Sequence, residues 1–320
     1  MKIALLQFAP NVGTVEENIK RADDLLRQSK IPVDLGWLVL PEMAFSGYNF
    51  HSLEEIEPYL EPTTAGVTTR WAIQVAKHYN CHVTVGYPER TSDAPPVNYL
   101  VQPLSSTKWM FTHGIQNDHP PDNSAVTVSP TGDILNNYRK SFLYYTDETW
   151  ASEPPSRFAT TSLGNLGPVT LGICMDINPH RFLAPWEAYE FATACLAPIP
   201  SVPSASSPIP LICVSMAWLC HLTPTELTVE PSSPDVATVA YWVERFQPIV
   251  EKSKEVEGAW YVLLANRCGV EKSVCYAGSS TVIKIEGGAV SLFETCGKSE
   301  EKCLVVDLSE RPKYQVRSGR

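Results

Sequence analysis

Three strand-like runs in this chain each stop at a reactive side chain: GWLVLPE at Glu42, ILNNYRK at Lys140 and PVTLGIC at Cys174. Runs of this length are too short for a membrane-spanning helix, which needs roughly 20 apolar residues. They read instead as strands that hold the backbone and leave the terminal side chain free. Pro41 cannot donate to a sheet, so the second strand ends there and sets Glu42 at its carboxyl rim. Several strands ending at chemically capable residues point to a site along one rim of a sheet.

The segments between these runs decide the fold class. KIALLQFA opens as a strand, and Thr14-Val-Glu-Glu17 has the form of a capping box that starts a helix with Ile19, Ala22, Leu25 and Leu26 on one face. Residues 66–79 read as a helix and CHVTVGYPE as a third strand. VNYLVQ, SAVTVSP, the turn Thr131-Gly132-Asp133 and ILNNYRK then read as a meander or hairpin. Later come a helix at about 184–196, a Pro- and Ser-rich loop insertion near 198–210, LICVSMAWL, a helix near 235–247, WYVLLANR and STVIKIEGG. Helices between early strands, with consecutive strands in the middle, predict a layered α/β fold with more than one sheet.

Charge and cysteine usage narrow the function classes. The 320 residues carry a formal charge of −10 and no basic stripe, which argues against a nucleic-acid partner. The opening MKIALLQFAP leads straight into charge, so no signal peptide and no membrane partner are expected. Nine cysteines are present without a C-x-x-C pair or metal-type histidine spacing. That pattern predicts reduced thiols, no metal and no cofactor, and a cytoplasmic location.

A buried thiol needs a base before it becomes a nucleophile, and Glu42 can supply one. Lys140 can stabilise an oxyanion and hold a thiolate. Taken alone, Cys174 reads as core and the two charges as surface groups; composition and periodicity do not connect the three. Phe45, Tyr48, Phe50, Tyr144, Tyr145 and Trp150 flank two of the motifs and read mostly as packing, with a pocket wall as the alternative. Glu89 at its strand end reads as a surface acid, and His180 as a capping or surface residue.

LPEMAFSGYNF, YRKSFLYYTDETW and LGICMDINPHRF resemble, in order, the Glu, Lys and Cys motifs of the nitrilase, or carbon–nitrogen hydrolase, superfamily, and IALLQFAP, NRCG and YAGSST extend the likeness along the chain. The resemblance implies a single domain over residues 1–320 folded as a four-layer α-β-β-α sandwich, and a covalent thioester mechanism. In it Glu42 is the base, Cys174 the nucleophile, Lys140 and the Met175 amide the oxyanion donors, and Glu148 a second positioning glutamate. Where many members continue C-Y-D-x-R-F-P, this chain has C-M-D-I-N-P-H-R-F, with Met175 for the aromatic, Asn178 for the arginine and Arg181 displaced.

CMDINPHRFLAPWEAYEFA and SMAWL are similar to segments of the fungal amidases that act on protein N-termini. That likeness implies deamidation of N-terminal Asn and Gln to Asp and Glu, feeding the N-degron pathway. The substrate ammonium then needs a carboxylate or carbonyl cage. Asp176 and Glu148 are candidates, with a helix cap the alternative for Asp176. Met175, Asn178 and Tyr48 are expected to meet substrate. An amidase for a free small carboxamide, and a silent binding protein of the same fold, stay open as alternatives. So does the choice between monomer and homodimer.

Overall fold

The computed structural model describes residues 1–91, 120–197 and 210–316. VNYLVQ and nearly all of the Pro- and Ser-rich insertion lie outside them. Two mixed sheets dominate the architecture. The first runs, edge to edge, through the strands Lys302–Asp307, Lys2–Gln7, Leu35–Val39, His82–Arg90, Asp122–Val128 and Ile134–Arg139, with Glu61–Pro62 appended to His82–Arg90. The second runs through Tyr314–Val316, Ala289–Thr295, Thr281–Glu286, Trp260–Asn266, Leu211–Met216, Pro168–Ile173 and Thr160–Ser162.

Strand periodicity makes the layers. Along Lys2–Gln7, Ile3 and Leu5 face the second sheet, where they join Trp37, Val39, Leu171, Cys213 and Leu263 in a core between the sheets. Ala4 and Leu6 face the other way and meet Ala22 and Leu26 of the helix Val15–Gln28 and Trp71 and Ala72 of the helix Val67–Tyr79. The outer face of the second sheet is covered in the same manner by Trp242 of the helix Val236–Arg245 and Ile249 of Gln247–Lys252. Period-two alternation with both faces apolar demands this helix–sheet–sheet–helix stack. The expected four layers are therefore present.

Three expectations differ from the structure. Thr14 stands at the N-cap position, but its side chain caps nothing. Asn18 orders the helix entry instead: it accepts from the Asn11 amide at 2.9 Å and donates to the Asn11 carbonyl and the Phe45 carbonyl, each at 2.7 Å. A carboxamide both accepts and donates, so it ties the helix to the loop after Glu42, which a Thr–Glu box cannot do. The helix expected over 184–196 forms only at Glu190–Cys195; short 3-10 turns at His180–Phe182 and Trp186–Ala188 precede it. Arg181, Phe182 and Tyr189 have positive φ there, which interrupts any continuous helix. Glu89 is fully buried, held by Arg139 at 2.8 Å and by Ser124 and Asn137.

Candidate active site

Topology brings the reactive ends together. Leu35–Val39 and His82–Arg90 are parallel, and two antiparallel steps through Asp122–Val128 return Ile134–Arg139 to the same direction. Glu42, Lys140 and the start of the strand carrying Asn123 therefore share one rim. Across the gap, Pro168–Ile173 and Leu211–Met216 are parallel and deliver Cys174 and Ala217 to the facing rim. Ser215 Oγ donates to the Leu40 carbonyl at 2.9 Å and pins the two rims to each other.

Glu42 is fully buried, and its contacts define the centre. Oε1 accepts from Lys140 Nζ and from Asn123 Nδ2, both at 2.7 Å, and Oε2 accepts from the Ala217 amide at 2.8 Å. Lys140 Nζ also donates to Asp147 Oδ2 at 2.5 Å, and Asn123 bridges to Asp147 Oδ1 at 3.1 Å. Burial alone would depress the Lys140 ammonium, but Asp147 and Glu42 together hold it above the ordinary lysine value. Burial pushes Glu42 up, against the pull of Lys140. The Cys174 thiol is raised well above its usual value, by burial first and the Glu42 charge second, with Lys140 opposing both. The resting group is thus a neutral thiol beside a carboxylate that can take its proton.

Cys174 opens a 3-10 turn, Cys174–Ile177, with φ of 41°. A non-glycine residue in this region is strained, and neighbouring contacts must hold it. Asp176 supplies them: Oδ2 accepts from the Ile173 amide at 2.7 Å and Tyr138 Oη at 2.8 Å, while Oδ1 accepts from the Ser141 and Phe142 amides at 3.0 and 2.8 Å. Those four donors come from the strand before Cys174, the strand before Lys140 and the residues just after it. Asp176 staples the Cys174 turn to the Lys140 segment. Its oxygens are occupied and it is fully buried, so it is not an ammonium cage.

Glu148 also stands apart from its expected place. Its side chain is 39% exposed and pairs with Arg181 at 3.4 Å. The acid on Lys140 is its neighbour Asp147, fully buried. The stretch TDETW offers two adjacent acids, and the 3-10 turn at Asp147–Thr149 turns the first inward. His180 pairs with Glu153 at 2.8 Å, away from the thiol chemistry.

Above the sulfur lies a cavity of about 520 Å³ lined in part by Tyr48, Tyr144, Met175, Asn178, Phe182 and Trp218. Asn178 Oδ1 accepts from Tyr241 Oη at 2.6 Å, which links the segment after Cys174 to the helix Val236–Arg245. Tyr48 Oη donates to Asp147 at 3.2 Å, and its ring lies 5.5 Å from Lys140 Nζ. Phe45, Phe50 and Trp150 are buried packing residues, and Tyr145 is exposed. Among the described residues the one carboxylate on the cavity wall is Asp235. It caps its helix through Thr238, from the amide at 3.3 Å and the hydroxyl at 2.8 Å. Sequence reasoning missed Asp147, Asn123, the Ala217 amide and Asp235. Asp235 begins an apolar helical run in the manner of an N-cap, the one signal that marked it.

Known proteins resemble this chain in sequence and fold. Residues 2–184 match the family model for carbon-nitrogen hydrolases. A protein N-terminal amidase of Schizosaccharomyces pombe is 32% identical over 315 residues, covering 97% of this chain and 100% of that protein. A crystal structure of an N-terminal amidase with an Asn-Glu-Ala peptide superposes with a TM-score of 0.76 at 21% identity, covering 99% of this chain and 98% of that one. Another with a Gln-Gly peptide gives 0.74 at 21% identity over 95% and 96%. A family match across more than half the chain, together with a relative matched along its entire length, makes this protein a member of the carbon-nitrogen hydrolase family.

Proposed function

We propose that this chain deamidates the N-terminal Asn or Gln of peptides and proteins, releasing ammonia and leaving Asp or Glu. The observation that carries the reading is the floor and wall of one cavity: Cys174 over the buried Glu42–Lys140 pair, and Asp235 as the wall carboxylate. An amide is attacked at the floor while an ammonium is met at the wall. The S. pombe relative is named a protein N-terminal amidase, and solved structural neighbours hold Asn- and Gln-leading peptides.

In this reading Glu42 takes the Cys174 proton as sulfur attacks the carboxamide carbon. Lys140 donates to the oxyanion, as does the Met175 amide, which lies in the first turn of the 3-10 segment and so has no partner inside it. The C–N bond breaks, and the amine leaves as ammonia with the proton that Glu42 returns. Water then gives a proton to Glu42 and attacks the thioester, restoring the thiol. Asp235, with the rings of Trp218 and Tyr241 beside it on the wall, holds the substrate ammonium. The chain acts as one catalytic unit, in the cytoplasm, and its product enters the N-degron pathway.

Ammonia release from Asn- and Gln-leading peptides, compared with their N-acetylated forms, tests the reading. Activity on the free peptides alone is expected; turnover confined to small free amides would sink it. Losing a charged hydrogen bond of about 1.5–3 kcal/mol, the Asp235→Asn variant should raise KM for free-amine peptides on the order of 10- to 100-fold.

A further inference from the structure

The loop after Glu42 runs buried from Pro41 to Phe50, and something must fix the ring it carries, Tyr48. Its anchor comes from a separate two-stranded sheet, Cys268–Glu271 paired with Val274–Ala277. Glu271 Oε1 accepts from the Tyr48 amide at 3.1 Å, and Oε2 from the Asn49 amide at 3.0 Å and Tyr276 Oη at 2.5 Å. Arg267 Nη1 donates to Oε1 as well. The guanidinium lies 3.9 Å from the centre of the Tyr276 ring, and its Nη2 donates to the Pro10 carbonyl at 2.6 Å. All three side chains are buried. Gly47 is bare because a Cβ there would stand 2.9 Å from Glu271 Oε1 and 2.6 Å from Val12 Cα.

A buried Arg–Glu pair is a poor device for stability alone, since desolvation offsets most of its attraction. This one is aimed. Glu271 grips the backbone of Tyr48, and Tyr48 in turn reaches Asp147 through its hydroxyl and Lys140 through its ring face. Tyr276 closes the loop by meeting the Tyr48 ring edge-on, with centroids 6.4 Å apart. We infer that Glu271, backed by Arg267, is a positioning residue for the reaction: it sets Tyr48, and through Tyr48 the Lys140–Asp147 pair that must meet the oxyanion. The Glu42–Lys140 pair can form without it, but the lysine loses its lateral stop.

A double-mutant cycle tests this. Glu271→Gln removes one acceptor oxygen from a group with four donors and should lower kcat about 10- to 100-fold, the scale of an ångström-sized misplacement. KM should move by less than about threefold, because the loss belongs to the transition state. In a Tyr48→Leu background the same change should cost less than about twofold more, there being no ring left to position. Full additivity, or a folded Glu271→Gln variant with kcat unchanged, would overturn the inference. If Glu271→Gln fails to fold, Tyr276→Phe, which deletes one donor and keeps the carboxylate and Arg267, carries the same cycle with a smaller loss.

The inference rests on the proposed function only for its natural substrate. Ammonia release is therefore read on an Asn-leading peptide and on propionamide in parallel. Failure of the peptide alone would count against the substrate assignment, whereas an additive cycle on whichever amide is turned over would count against Glu271.

Discussion

At the scale of single residues, the centre is a problem in sharing protons among buried groups. Glu42 is raised by burial, and in the proposed mechanism it must be a carboxylate to take the Cys174 proton. Activity should therefore fall as pH drops, with an acid limb of kcat/KM above the ordinary carboxylate value of about 4.3. On the alkaline side the amine of the proposed substrate loses its proton near pH 7.7–8.0, roughly the α-amino value, and with it the attraction proposed for Asp235. A bell between these limits is the expected profile; an acid limb at or below about 4.3 would mean that Glu42 is not the base. The Cys174 thiol, raised by burial and by the Glu42 charge, should also react sluggishly with iodoacetamide at neutral pH.

At the scale of elements, one glycine shows how tightly the rim is built. Gly86 lies mid-strand where the Glu42 loop crosses it: its amide donates to the Pro41 carbonyl at 3.2 Å and its carbonyl accepts from the Ala44 amide at 3.0 Å. A Cβ there would sit 2.7 Å from Glu42 Cα, a backbone atom that cannot swing aside. Gly86→Ala should destabilise the protein by about 1–3 kcal/mol as overpacking and lower kcat at least tenfold by displacing the base. A thermal melt beside an ammonia assay checks both; an active, stable variant would show that the loop has slack. The strands were legible in the sequence because apolar runs of strand length leave few alternatives, and Glu42, Lys140 and Cys174 stood out as strand ends that only the resemblance to the carbon–nitrogen hydrolases connected. The rest depended on contacts between distant segments. Whether Asp147 or Glu148 meets Lys140 is settled by a single 3-10 turn, and the occupancy of Asp176 by four donors from three segments. Glu89 read as a surface acid because Arg139, its half-buried partner, is far away in sequence.

At the scale of the whole molecule, neither sheet holds the chemistry by itself. Glu42, Asn123 and Lys140 belong to one sheet, Cys174 and Ala217 to the other, and the interior between them is apolar from Ile3 to Val282. Loss of activity in denaturant should follow loss of tertiary structure, read from the fluorescence of Trp37 and the other tryptophans, with a shared midpoint. Activity surviving past the tertiary transition would mean that one sheet suffices. The Ala217 amide carries a further consequence, since it crosses from the second sheet to the base on the first. It makes Glu42 and the sheet that carries Cys174 report on each other, like a lock that turns only with both halves of the key. A partly folded chain presents nine ordinary thiols, so the slow labelling of Cys174 that burial and the Glu42 charge impose is a census of correctly docked molecules.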